Sequence, residues 1–250
     1  MSAYLQLSDI QVSFNGFLAL NHLNLEVNKG ELRCLIGPNG AGKTTALDLI
    51  CGKIKHSAGS VAFDGIMLDG LEDYEIARAG VGRKFQVPSV FRELTVSENL
   101  QVARAKHPGV FGNLRPGYRR ADDEAVERLA VLVGLEDHLG MPASFLSHGQ
   151  TQWLEIGMLV AQDAALILMD EPTAGMTSQE TQKTADLFLR LKGRHTLIVV
   201  EHDMGFVKAI GDVISVMHLG RLLAQGSASE VESNPEVRKA YLGSGGITNA

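Results

Sequence analysis

Cysteine and long apolar runs are scarce in this sequence, and each scarcity excludes something. The two cysteines, Cys34 and Cys51, stand apart in apolar contexts. No paired spacing suggests a zinc site or a disulfide framework, so they read as small buried hydrophobes in a reducing cytosol. No uninterrupted apolar run approaches the roughly 20 residues needed to cross a bilayer, and the amino-terminal MSAYLQLSD lacks a basic region followed by an apolar core. A soluble chain is expected, reaching any membrane through partners. A basic surplus is missing too. The net charge of -6 argues against gripping a polyanion as the main task, because phosphate-backbone binding draws on clustered Lys and Arg. Nucleic acid is therefore not an expected partner.

What is present is a sizeable core. With 250 residues, 45% hydrophobic and 21% charged, the chain is long for one domain and short for two independent ones, which points to one domain, residues 1–242, carrying a subdomain. The terminal GSGGITNA, residues 243–250, reads as a flexible tail. Leu5 and Leu7, then Ile10, Val12 and Phe14, then Leu23, Leu25 and Val27 alternate with mostly polar residues, the two-residue period of half-buried strands, so the amino-terminal region is expected to be antiparallel. From Leu32 the pattern changes to the short apolar runs LRCLIG, LILMD and TLIVVEH. Each precedes a turn and a helical-looking segment, the reading of buried parallel strands in an α/β sheet, at whose carboxyl ends phosphates bind. Between them, Val126, Leu129, Ala130 and Val133 recur at helical spacing near a Gly/Pro-rich loop at Pro108 to Gly117, which places an inserted helical subdomain at about residues 88–162. The acidic run Asp122 to Glu124 reads as the solvated first turn of a helix.

GPNGAGKTT, Gly37 to Thr45, follows the strand LRCLI and precedes a helical segment. Its glycines let successive backbone N–H groups point into one concavity, the helix amino terminus adds positive potential, and Lys43 supplies a point charge for the β and γ phosphates. Thr44 offers a hydroxyl to Mg2+. Nucleotide binding follows, with kinases, GTPases and motor ATPases all still open. The stretch LSHGQTQWLEIGMLVAQDAALILMDEPTAGMT, Leu146 to Thr177, narrows the choice. In LILMDEP a buried strand delivers Asp170 and Glu171 to its carboxyl end, and adjacent residues leave a strand in different directions, so Asp170 can hold a Mg2+ shell while Glu171 polarises water. In LSHGQ, Ser147 and the backbone amides open a helix whose Trp153, Ile156 and Val160 are expected to face the core, which makes a second anion site.

With both devices in one chain, the sequence resembles the nucleotide-binding subunit of an ABC transporter over nearly its whole length. The resemblance implies an α/β, ABC-type P-loop NTPase fold with a mainly parallel core sheet, an amino-terminal antiparallel β region and an inserted helical subdomain. It implies an ATPase with ATP and Mg2+ as cofactors, lodged at the cytoplasmic face of the inner membrane against transmembrane permease subunits. A second cassette, identical or paralogous, would bury two ATP molecules head to tail, and an external solute-binding protein would act indirectly. By this likeness the phosphate loop Gly37, Pro38, Asn39, Gly40, Ala41, Gly42, Lys43, Thr44 and Thr45 holds the nucleotide, and Ser147, His148, Gly149 and Gln150 meet the partner's γ-phosphate in trans. Glu171 activates water, while Thr44, Gln86 and Asp170 organise the metal. Gln86 in GRKFQVPSV matches the loop glutamine that senses Mg2+ and water, and His202 in VVEHD the switch histidine, so both join Lys43 and Glu171 in catalysis. Phe14 matches the aromatic that stacks on adenine, with Phe17 as its rival, although the alternation by itself would bury Phe14. Two positions depart from the family: His148 stands where a glycine is usual, and Thr177 replaces an aspartate that communicates across the dimer. Together LSHGQTQWLEIGMLVAQD, GVGRKFQVPSVFRELTVSENL, VSFNGFLAL and EPTAGMT are similar to urea importers within the branched-chain amino-acid group. Importers of branched-chain amino acids or related amides, and lipid-exporting or lipid-extracting subunits, remain the alternatives.

Overall fold

The computed structural model describes residues 3–84, 89–104 and 116–242. In chain order the elements are β1 (Leu5–Phe14), β2 (Phe17–Val27), β3 (Leu32–Ile36), α1 (Lys43–Ile50), β4 (Ala58–Phe63), β5 (Ile66–Met67), α2 (Asp73–Arg78), β6 (Val81–Lys84), α3 (Val96–Arg104) and α4 (Pro116–Val133). They continue with α5 (His148–Ala161), β7 (Leu166–Asp170), α6 (Ser178–Leu191), β8 (Thr196–Val200), α7 (Met204–Ile210), β9 (Val213–His218), β10 (Arg221–Gly226), α8 (Ala228–Ser233) and α9 (Pro235–Leu242). Two compact units result: one of Met1–Gly82, Ala165–Pro172 and Phe188–Ala250, the other of Arg83–Ala164 and Thr173–Leu187.

The first unit is built on two sheets. One is antiparallel, ordered β2-β1-β4-β5. Its alternation slips between Leu7 and Ile10, where the β1–β2 register shifts and Asp9 and His22 both take positive φ, 53° and 55°. This bulge explains why apolar residues three apart still share the buried face. The other sheet runs β10-β9-β3-β8-β7-β6, and β9, β3, β8 and β7 pair in parallel. Strands β3, β7 and β8 are buried along their whole length, as expected when both faces of a parallel sheet are covered. Leu5, Leu7, Leu23 and Leu25 of the first sheet, Leu47 and Ile50 of α1, and Leu168, Ile198 and Val200 of the second sheet share one core cluster. Helix α1 is thereby fixed at the end of β3. The mixed sheet with parallel core strands, the antiparallel amino-terminal sheet and the helices are the α/β fold expected.

The second unit is helical, with α3 and α4 against α5. Gly157 of α5 marks the closest approach, since a Cβ there would lie 3.2 Å from both Leu100 and Val133. Trp153 and Ile156 are buried and Val160 is half-buried. Helix α4 begins at Pro116, a residue suited to a first helical position because its missing N–H has no partner there anyway. Two expectations therefore need correction. Pro116 and Gly117 belong to a helix rather than to a loop, and Asp122 to Glu124 sit inside α4 instead of in its first turn; the remainder of the expected loop, residues 108–115, lies outside the described residues, as does the expected tail.

Cys34 is fully buried and Cys51 partly so, both as free thiols. Burial, reinforced by Glu201 and Asp212, pushes the Cys34 thiol up to about 12, which leaves it an inert small hydrophobe. Among the described residues no helix is long and apolar enough to cross a membrane.

Candidate functional site

The turn after β3 is shaped by what it cannot accommodate. Gly37 has φ +153°, and a Cβ on it would lie 2.3 Å from the Met217 carbonyl oxygen. Only glycine lets the chain leave the strand so close to β9. Gly40 and Gly42 also take positive φ, 78° and 99°, and a Cβ on Gly42 would lie 2.7 Å from the Ala19 carbonyl oxygen of β2. Gly42 caps α1 with no side-chain hydrogen bond, so the first N–H groups of that helix remain available to a ligand. Lys43 folds back, its ammonium donating to the carbonyls of Gly37 at 2.7 Å and Pro38 at 3.0 Å. Burial pulls that ammonium below the ordinary lysine range, against Glu171 and then Asp170, which raise it.

Parallel pairing brings the carboxylates to the same place. Asp170 lies opposite Val200 in the β7–β8 register, and Glu171 N–H donates to the Val200 carbonyl at 2.9 Å. Asp170 is buried. Glu171, with φ +46°, turns away in the left-handed region that non-glycine residues occupy at some cost, a strain concentrated at functional sites. The two neighbouring carboxylates therefore do leave the strand differently. Residues Asn39, Gly40, Ala41, Gly42, Lys43, Thr44, Thr45, Asp170, Glu171 and Val200 line a cavity of about 320 Å³. Two residues past β8, His202 places Nδ1 3.7 Å from Glu171 Oε1. Glu201, absent from the sequence-based expectations, is 1% exposed and accepts from His202 N–H at 3.1 Å. Its only sequence signal is an acid beside the histidine at a strand end.

The cavity can do three things chemically: surround a polyphosphate with amides, hydroxyls and an ammonium, offer hard oxygen donors to a cation, and present a carboxylate to a water. Among the described residues no group of three or more His, Cys, Asp or Glu could cage a metal. Mg2+ needs no cage. It binds through one or two carboxylates together with phosphate oxygens and water, which is what the Thr44 hydroxyl and Asp170 carboxylate lining one cavity can supply.

Phe14 and Phe17 face each other at the open end of the β1–β2 hairpin, 48% and 68% exposed. The alternation alone would have buried Phe14; among the described residues no layer covers the hairpin end, and both rings are exposed. Gln86 lies outside the described residues.

The remaining expected residues belong to the helical unit. Ser147 caps α5, its hydroxyl accepting from Gln150 N–H at 3.2 Å while the Gln150 side chain accepts from Ser147 N–H at 2.9 Å. This is a capping box, legible as Ser-x-x-Gln. His148 Nε2 pairs with the Ala174 carbonyl at 3.0 Å, an arrangement that requires the proton on that nitrogen. Gly149 is pressed against Glu180. Three residues escaped the sequence reading. Glu180 bonds both Thr177 and Ser147, and only the Thr-x-x-Glu spacing hinted at its cap. Glu155, buried in α5, accepts from Ser89 N–H at 2.7 Å and lies 3.8 Å from Lys84. Buried Asn99 brackets the turn beyond, accepting from Phe91 N–H and donating to the carbonyls of Phe91, Leu94 and Thr95.

Comparison with known proteins gives consistent matches. A family model described as ABC transporter matches residues 20–174, and one described as branched-chain amino acid ATP-binding cassette transporter matches residues 221–247. The High-affinity branched-chain amino acid transport ATP-binding protein LivG of Salmonella typhimurium is 39% identical over 248 residues, covering 96% of this chain and 97% of that protein. Among solved structures, an ATP-binding cassette of an ABC transporter in its ADP conformation superimposes with a TM-score of 0.83 at 30% identity, covering 97% of this chain and 100% of that one. A dimeric ATP-binding cassette in a post-hydrolysis state with ADP and Pi gives 0.76 at 25% identity, covering 90% and 98%.

Proposed function

The chain belongs to the ATP-binding subunits of ABC transporters, in the branched-chain amino-acid transporter group, and from that premise we propose that it powers the import of branched-chain amino acids. It is an ATPase coupled to transport. The solute follows the relatives: both the full-length relative and the carboxyl-terminal family match are named for branched-chain amino acids, so that reading replaces urea, which these matches do not support.

The observation that carries the mechanism is the shared cavity, where Lys43, Thr44, Asp170 and Glu171 meet. In our reading the amides of Gly40 to Thr45 and the Lys43 ammonium cradle the β and γ phosphates, with one of the exposed rings, Phe14 or Phe17, against the adenine. Thr44, Asp170 and Gln86 would hold Mg2+, whose chemistry is to draw charge from the phosphates. Glu171 orients and activates the attacking water, and His202, beside it, holds the γ-phosphate. The left-handed backbone at Glu171 turns the carboxylate out of the strand into the cavity, the kind of local strain that concentrates at functional sites.

A second cassette completes the site. The dimeric relative supports pairing of two cassettes; in our reading the pair is head to tail, and Ser147, His148, Gly149 and Gln150 of one copy close on the γ-phosphate held by the other. Closure excludes water and links hydrolysis to dimer geometry. Permease subunits would anchor the pair peripherally at the cytoplasmic face of the membrane, with a solute-binding protein outside. Reconstituting the chain with its permease and binding protein and measuring solute-stimulated ATP hydrolysis tests the assignment. Stimulation by leucine, isoleucine or valine is expected; stimulation by urea and not by these amino acids would overturn it.

A further inference from the structure

One carboxylate joins the amino termini of α5 and α6. Glu180 Oε2 closes the cap of α6, accepting from Thr177 N–H and from its hydroxyl at 2.9 Å each. Its other oxygen accepts from the Ser147 hydroxyl at 3.3 Å. A Cβ on Gly149 would lie 2.5 Å from Glu180 Oε1 and 2.7 Å from its Cδ, so the carboxylate rests directly on the first turn of α5. That is where unpaired N–H groups and the helix dipole attract an anion. The hydrogen bonds from Thr177, backbone first, hold Glu180 below the usual carboxylate range, with Ser147 and His148 adding to them.

Two consequences follow from elementary chemistry. Ser147 has a single hydroxyl proton, and Glu180 accepts it, so the hydroxyl cannot donate to a phosphate until that bond breaks. A negative charge also stands where a second one must arrive, and like charges a few ångströms apart repel. We propose that Glu180 is a resident anion on the signature turn, competing with the partner cassette's γ-phosphate and setting the ATP concentration at which two cassettes close. This rests on the trans role proposed above for Ser147. Closure exchanges one acceptor for another: Ser147 releases Glu180 and takes the phosphate, while Glu180 keeps its bonds to Thr177. The segment Ala174 to Thr177 feels that exchange, because His148 bonds Ala174 and Glu180 bonds Thr177. Thr177 thus participates through the Glu180 carboxylate, in a chain that lacks the family's aspartate at this position.

The test compares Glu171→Gln with Glu171→Gln/Glu180→Gln in the full-length chain, alone and with its paralogous cassette. ATP-dependent dimerisation is followed by light scattering. Glutamine keeps an acceptor for Thr177 and removes the charge. The ATP concentration for half-maximal dimer should fall about five- to tenfold, as expected for removing a like charge near the surface, with melting temperature nearly unchanged. Glu180→Ala in the same background loses the cap as well, so it should melt lower and still close at lower ATP. A purely structural cap predicts the opposite: no shift for the glutamine variant and harder closure for alanine. Either of those results overturns the proposal while leaving the trans site intact. If Glu171→Gln itself never dimerises with ATP in any setting, the trans role fails and this proposal falls with it.

Discussion

Replacing Lys43 by alanine separates a phosphate contact from a structural one. In the structure the ammonium donates to the Gly37 and Pro38 carbonyls at 2.7 and 3.0 Å. Both residues are half-buried, so water can replace the lost donor, and the partial burial that lowers the lysine pKa is relieved at the same time. The ammonium makes these bonds charge-assisted, worth about 1.5–3 kcal/mol each where water is excluded, but at this half-exposed turn water replaces the donor and the recovered desolvation offsets most of the loss, which leaves about 1 kcal/mol and a melting shift of about 5 °C or less for a chain of this size. Contacts to phosphate are stronger. Charge-assisted hydrogen bonds contribute about 1.5–3 kcal/mol each, so losing two should weaken ATP binding by about 10²- to 10⁴-fold. Titration with a fluorescent ATP analogue beside a thermal melt reads both quantities on one sample. ATP affinity within about threefold of the parent in a folded Lys43→Ala protein would refute the placement of the ammonium on phosphate. A collapse in stability with it would instead make the lysine a loop brace.

Two further outcomes follow from backbone space and from burial. Gly37→Ala should cost more than about 2 kcal/mol in urea unfolding and abolish ATP binding, since it combines a φ of +153° with a 2.3 Å approach to the Met217 carbonyl; Gly40→Ala, with φ +78° and nothing within 4 Å of the added carbon, should cost only about 1 kcal/mol. Equal losses would contradict this account of the turn. Burial, opposed by Ser89 and Lys84, holds the Glu155 carboxyl above its ordinary value. Its native-state pKa is thus raised, so its contribution to stability is complete below the unfolded pKa of about 4.3 and is lost as pH rises through the native value. Glu155→Gln keeps an acceptor for Ser89 and cannot titrate, so its stability relative to the parent should improve between about pH 4 and pH 8. A constant difference across that range would show that burial does not shift this group.

The first two strands, the parallel strands β3, β7 and β8, and the phosphate loop were legible because each rests on local rules, whereas β4, β5 and β9 were not read. Alternation showed β1 and β2, continuous apolar runs showed β3, β7 and β8, and glycine spacing with Lys43 showed the turn. Harder to read was whatever depends on a neighbour distant in sequence. Phe14 continues an apolar period, but among the described residues nothing covers the hairpin end and its ring is exposed. Pro116 and Gly117 looked like a loop, although proline is well suited to open a helix. The Asp122 to Glu124 run was misplaced for the same reason. Glu180 carried a visible cap spacing toward Thr177, yet its reach to Ser147 crosses 33 positions of sequence. His148 stood out as a departure from the family, while its bond to Ala174 depends on how the first turn of α5 packs against the turn after β7. The solute was legible only as a set of signatures, since the permease contacts it, and those signatures favoured urea where the relatives favour branched-chain amino acids.

The central claim is that each active site is shared, with Glu171 on one copy and Ser147 on the other. Its most direct test is ATP-dependent assembly of Glu171→Gln, measured by size-exclusion chromatography with light scattering, for this chain alone, mixed with a candidate paralogous cassette, and in the complete transporter. The carboxamide should nearly abolish turnover and leave ATP bound, so a closed dimer accumulates. Adding Ser147→Arg should abolish the dimer while ATP binding to the phosphate loop persists. ATP-bound Glu171→Gln that stays monomeric in all three settings, or a dimer indifferent to Ser147→Arg, would contradict it.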